Sequence, residues 1–264
     1  MKRNFGGLWC IVLFFSLTII SWKPANSLAA TTRTNGTNKP LAARALFDKY
    51  IQNVYESARL ADSGLEFGVF KKALTGFVNL KASGKLPQAN AILTVIDFSI
   101  SSMEKRMWII DVANKTLLLH TWVAHGEMSG DDIPTRFSDK MDSRQSSLGF
   151  YLTDEVYIGE HGRALKLDGL DAGFNENARK RAIVLHGAGY VCQSVIDIHH
   201  RLGRSYGCPA VSTDVIEEVV DALKDKSVIF ISANSERYHS KYLDEDLAAN
   251  YIAADGSSAY TASL

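Results

Sequence analysis

The spacing of apolar residues changes near residue 91. Before it, Leu46, Tyr50, Val54 and Ala58 recur at helical spacing between Leu41 and Leu60, a stripe that must be buried against another element. A second helix is predicted over Glu66 to Lys81, where Phe70, Leu74, Phe77 and Leu80 share a face despite Gly68 and Gly76. After it come short β-branched and aromatic runs separated by turn residues, the pattern of a mostly antiparallel β domain. The predicted strands are Ala91 to Phe98, Arg106 to Val112, Thr116 to Val123, Gly149 to Thr153, Ala164 to Leu167, Ala182 to His186 and Ser227 to Ser232. Asp111 to Lys115 reads as a hairpin turn, with Asn114 suited to its left-handed position. One helix interrupts the strands, Thr213 to Lys224, with Ser212 or Thr213 as its cap and Val215, Ile216, Val219, Val220 and Leu223 as its buried face.

The first residues have another character. Lys2 and Arg3 precede an apolar run from Leu8 to Trp22, followed by small residues from Ala25 to Ala30, which is the layout of a secretory signal. The alternative, an uncleaved membrane anchor, asks for a longer apolar run. Taking 1–29 as the signal removes Lys2, Arg3 and Lys23 and no acid, so the formal charge of the 264-residue chain moves from 0 to −3. No basic excess remains to suggest nucleic-acid binding, and no second apolar run is long enough for stable membrane insertion. The expected organisation is signal 1–29, linker 30–40, N-terminal helical segment 41–88, β domain 91–240 and C-terminal tail 241–264. The expected location is the periplasm or cell envelope.

Candidate chemistry is concentrated in two stretches. His186 ends the apolar strand Ala182 to Leu185 and is followed by Gly187, which places an imidazole at the rim of a sheet; Tyr190 lies just beyond. Cys208 sits in the run Gly203-Arg204-Ser205-Tyr206-Gly207-Cys208-Pro209-Ala210, ahead of the predicted helix. Backbone amides around the side-chain-free Gly207 could face a developing oxyanion. A helix start, Arg204 and His186 would each lower the Cys208 thiol pKa. The segment thus offers a nucleophile, a base and an oxyanion pocket. Cys192 and Cys208 are the cysteines left after signal removal, so in an oxidising compartment a disulfide-bridged, non-catalytic wall-binding β domain stays open. His199 and His200 lie in a loop without paired zinc-ligand spacing, so no metal is expected.

The strand-His-Gly element followed by Ser-x-Gly-Cys resembles the signature of the murein L,D-transpeptidases. Weaker likeness extends upstream through Ala124-His125-Gly126, Ser147 to Tyr151, Tyr157 to Gly162, and Leu167 to Leu170 followed by Asn175 and Arg181, so the resemblance covers about Ala91 to Ser232. It implies a mainly β fold, a β-sandwich with a helix after the nucleophile, and no cofactor. It also implies a partner, the peptidoglycan stem peptide, acylating Cys208 with His186 as base, Ser205 and Gly207 shaping the catalytic pocket, and release of D-alanine. Resolution by an amine would give a 3-3 cross-link, and by water L,D-carboxypeptidase activity. Substrate contact is expected from Arg204, Tyr206, Gly187, Tyr190, Arg201 and His161. In two places the chain departs from the best-known branch, which often has His two residues before the cysteine and Arg two after it: here stand Tyr206 and Ala210. A cell-wall thiol peptidase or amidase on another α+β scaffold usually carries its cysteine before its histidine, and here His186 comes first.

Overall fold

The computed structural model describes residues 38–160 and 162–255, so the signal region, most of the linker, His161 and the Ser-rich end lie outside the described residues. Two helices, α1 (Asn38–Ser57) and α2 (Phe67–Ala82), precede strands β1 (Ile92–Asp97), β2 (Met107–Asp111), β3 (Thr116–Thr121), β4 (Gly149–Gly159), β5 (Gly162–Gly169) and β6 (Val184–Gly187). Then follow α3 (Gln193–His199), β7 (Ala210–Val211), α4 (Ile216–Leu223), β8 (Val228–Ser232) and α5 (Glu245–Asp255). The fold is mainly β, as the spacing predicts.

The strands form one sheet in the order β3-β2-β1-β8-β4-β5-β6-β7. Neighbours are antiparallel except β1 with β8 and β6 with β7. The chain leaving β3 at one edge reaches the other, where the Ala124 amide donates to the Ala210 carbonyl of β7 at 2.8 Å, so the sheet curls back on itself.

Period-two alternation sends side chains to two cores. Leu93, Val95, Trp108, Ile110, Phe150 and Phe230 meet Phe47, Phe70 and Phe77 of the helices, while Ile96, Ile109, Tyr151, Leu185 and Ile229 meet Val219, Val220 and Leu223 of α4. Each buried side chain of this size contributes roughly 1.5–3 kcal/mol. Gly76 in α2 is explained by this packing, because a Cβ there would lie 1.9 Å from the Phe150 ring.

Local details differ from the sequence reading. In the β2–β3 turn the left-handed residue is Lys115 (φ 52°), one residue after the expected Asn114, whose amide is instead held by the Asp111 carboxylate. Helix α4 starts at Ile216, behind a turn in which Ser212 Oγ accepts the Asp214 amide, so neither Ser212 nor Thr213 caps it. Ala182 is not extended but left-handed (φ 53°), and β6 begins two residues later. Two helices were not anticipated: α3, which takes in His199, and α5, whose Ala248, Ala249 and Ile252 join the helical-side core. Among the described residues no helix is long and apolar enough to cross a membrane.

Candidate active site

Strand β6 and the short β7 bring the two chemical stretches together. Their parallel pairing sets His186 opposite Ala210, and the His186 amide donates to the Pro209 carbonyl at 3.4 Å. Cys208, just ahead of β7, therefore lies alongside β6: the Val184 amide donates to its Sγ at 3.5 Å, and the thiol faces the Ala182 carbonyl at 3.8 Å. The left-handed Ala182 turns that carbonyl toward the sulfur.

The loop carrying Cys208 is locked by its own hydroxyl. Ser205 Oγ donates to the Cys208 carbonyl at 2.6 Å and accepts the Gly207 amide at 3.0 Å. Gly207 adopts φ +126°, and a Cβ there would stand 2.9 Å from the Gln145 carbonyl and 3.2 Å from the Arg181 guanidinium, so only glycine suits the position. Ser205 thus takes up the Gly207 amide, one of the backbone donors expected to face an oxyanion.

His186 is buried and its Nδ1 lies 3.0 Å from the Gly187 carbonyl. A carbonyl only accepts, so Nδ1 carries a proton. Burial pushes the Cys208 thiol above its ordinary pKa, against the pull of the Val184 amide and the Arg181 charge. The expected depression of this pKa is thus reversed: α4 starts too far along, and Arg204 is spent on the Gly130 carbonyl and on Asp131.

A cavity of about 640 Å³ joins Cys208, His186, Ser205, Tyr206, Tyr190 and Arg204. Three other predicted residues do not line it. Gly187 is buried in β6 against Ile216, Gly207 backs onto Arg181, and Arg201 is paired with Asp131 at 2.9 Å. His161 lies outside the described residues. Cys192 and Cys208 are both free thiols, and Cys192 Sγ instead faces the Gly189 carbonyl and Ser194. Among the described residues no group of His, Cys, Asp and Glu is arranged to hold a metal ion.

Arg181 was not singled out as a site residue, yet it lines the cavity. Its guanidinium, 3% exposed, donates to the Ser138 and Gln145 carbonyls and to Ser147 Oγ, and lies 3.8 Å from Asp139. Those partners belong to a distant loop, so no local pattern marks Arg181 as buried. The Gly187 carbonyl that orients His186 was missed for another reason: a backbone group leaves no residue-type signal. Ala210, where the best-known branch often has Arg, is fully buried in β7 and has no room for a guanidinium.

A cysteine and a histidine sharing one cavity at the edge of a curled β-sheet define a class of site suited to acyl transfer. The chain belongs to the L,D-transpeptidase catalytic domain family, whose sequence model matches residues 61–232. Members of that family act on peptidoglycan. Solved structures that resemble the chain include LD transpeptidase LdtMt1 in complex with imipenem, at 13% identity and TM-score 0.34 over 53% of this chain and 58% of that one. Another is an L,D-transpeptidase from Mycobacterium smegmatis, at 12% identity and TM-score 0.34 over 54% and 59%. A mutant of the helical cell shape determining protein Pgp2 from Campylobacter jejuni aligns at 14% identity and TM-score 0.36 over 70% of this chain and 63% of that one. The chain thus spans less than two thirds of the length of each. No curated protein matches it at a significant level.

Proposed function

We propose that the protein is an exported peptidoglycan L,D-transpeptidase that works through a Cys208 acyl-enzyme in the periplasm or cell envelope. The observation that carries this reading is the β6–β7 pairing, which sets His186 and Cys208 in one cavity with the Cys208 sulfur against the Val184 amide. His186 Nε2 takes the thiol proton as sulfur attacks the carbonyl of the third residue of a tetrapeptide stem. The amides of Tyr206 and Cys208 receive the negative charge on the carbonyl oxygen. As the carbon–nitrogen bond breaks, the imidazolium returns its proton to the departing D-alanine amine, leaving a thioester on Cys208. An amine of a second stem, deprotonated by His186, then attacks the thioester and forms a 3-3 cross-link as the carbon–sulfur bond breaks and the imidazolium returns the proton to the Cys208 sulfur; water in its place gives L,D-carboxypeptidase activity. Export rests on the N-terminal sequence and on the location of the wall polymer on which the family acts.

The test is mass spectrometry of tetrapeptide muropeptides incubated with wild-type and Cys208→Ser protein, together with carbapenem labelling. Loss of D-alanine and a carbapenem adduct on Cys208 are expected for the wild type, with neither in the variant. An adduct on Cys192 instead, or turnover by Cys208→Ser, overturns the assignment.

A further inference from the structure

The cavity around Cys208 does not end at Tyr206. Arg181 and Tyr206 also line a second hollow of about 390 Å³, and its Met141 borders a third of about 1000 Å³. That one merges through Ser138, Gln145 and Arg237 with a fourth, of about 830 Å³, next to His239. A row of neighbouring hollows that share these lining residues thus extends from the cysteine site toward the segment after β8, a trough divided by Arg181 and Tyr206.

The far part of the trough is cationic. Arg136, Lys140, Lys180 and Arg237 line it, all four exposed. Among the described residues none of these four is within ion-pair distance of a carboxylate. Other arginines on the surface are matched: Arg163 with Glu217 and Asp221, Arg179 with Asp154 and Asp168. Two carboxylates, Asp139 and Glu176, line the same part and hold neutral amide donors rather than these cations. Asp139 Oδ2 accepts the Asn177 amide and side chain at 2.9 Å each, and Glu176 accepts the Gly173 amide at 3.2 Å. Asp142 borders only the second hollow. Four cations against two carboxylates leave this concave surface net positive, which raises the local concentration of anions, an effect that salt weakens.

We propose that this trough holds the carboxylate-bearing part of a stem peptide on a wall strand that also occupies the Cys208 cavity. The inference rests on the function proposed above. The wall strand therefore binds along the chain from β6 to the segment 235–239, and the cations Arg136, Lys140, Lys180 and Arg237 recognise its free carboxylates.

The experiment uses Cys208→Ala protein, which cannot consume the ligand, titrated calorimetrically with a disaccharide-tetrapeptide muropeptide and with the same compound carboxyl-amidated. Adding Arg136→Ala and Arg237→Ala is expected to weaken binding of the native muropeptide about tenfold at low salt. The amidated compound is expected to bind both proteins equally and more weakly. Lys replacements at Arg136 and Arg237 should restore most of the affinity, which a merely structural role would not predict. Equal affinity of the native muropeptide for the Cys208→Ala protein with and without the two arginines overturns the inference. If wild-type Cys208 is acylated by a carbapenem in that case, the proposed function stands and the trough assignment alone fails; if it is neither acylated nor able to bind the muropeptide, both fail together.

Discussion

The two ends of the sheet are held by different forces. The side covered by α1, α2 and α5 is a dry apolar layer: Phe47, Phe70, Phe77, Phe150 and Phe230 are fully buried there, with the Phe150 and Phe230 rings stacked at 4.4 Å between centroids. The loops around Cys208 are instead fastened by buried polar groups. Arg106, completely buried, donates to the Val123 and Ile100 carbonyls and to His125 Nδ1. The His125 carbonyl accepts the Ser205 amide, and Ser102 Oγ accepts the Leu202 amide while donating to Asp132. Irregular loops have no ladder to satisfy their backbone, so side-chain hydrogen bonds select one geometry for them, at the cost of burying charge. That cost shows in Arg106, whose pKa burial lowers to about 9 in spite of Asp132 and Asp97.

If this division is right, damage to the dry side lowers stability without touching the chemistry. Phe150→Ala removes a ring packed against Gly76 and Phe230 and is expected to cost about 3–5 kcal/mol in urea unfolding. Carbapenem labelling of Cys208 per folded molecule should persist below the unfolding transition. A variant that stays as stable as wild type but loses labelling would show that the two ends are not separable in this way.

The polar end should instead show itself through pH. Burial, followed by the charge of Arg106, lowers His125 from 6.5 to about 3 in the folded protein. The unfolded chain therefore binds the proton first, and the stability contributed by neutral His125 is present above the unfolded pKa and lost as pH falls toward the folded one. Between pH 6.5 and about pH 4.5 this single group should account for roughly 2–3 kcal/mol of lost stability. Thermal unfolding across that range checks it against His125→Asn, which keeps a polar group beside Arg106 but does not titrate. An identical pH slope in both proteins would remove His125 from the account.

The same division explains what could be read in the sequence. Strands β1, β2, β3 and β8 and helices α1, α2 and α4 follow from periodicity because large apolar side chains meet a core there. Helix α5 was unreadable since its buried residues Ala248 and Ala249 are small, and α3 since only Ile196 of its seven residues is buried. The two-residue β7 exists through pairing with β6 and the Ala124 bridge, which no local pattern encodes. The placement of Cys208 and His186 in one cavity was legible because each sits in its own short motif. The thiol pKa was not, because its direction depends on burial by distant loops and on where Arg204 spends its donors.

The smallest effect separates a hydrogen bond that shapes the nucleophile loop from one that merely fills it. Ser205→Ala leaves the buried Gly207 amide without its acceptor and frees the Cys208 carbonyl, a loss of about 1–2 kcal/mol. Were that loss felt mainly as misplacement of the sulfur and of the Tyr206 and Cys208 amides, carbapenem acylation should slow about tenfold while the unfolding midpoint moves little. Ser205 takes no proton in the proposed reaction, so the pH dependence of acylation should keep its shape, whereas replacing His186 by Gln should abolish the limb that reports the base. Unchanged acylation in Ser205→Ala would mean that Gly207, wedged against Gln145 and Arg181, fixes the loop by itself.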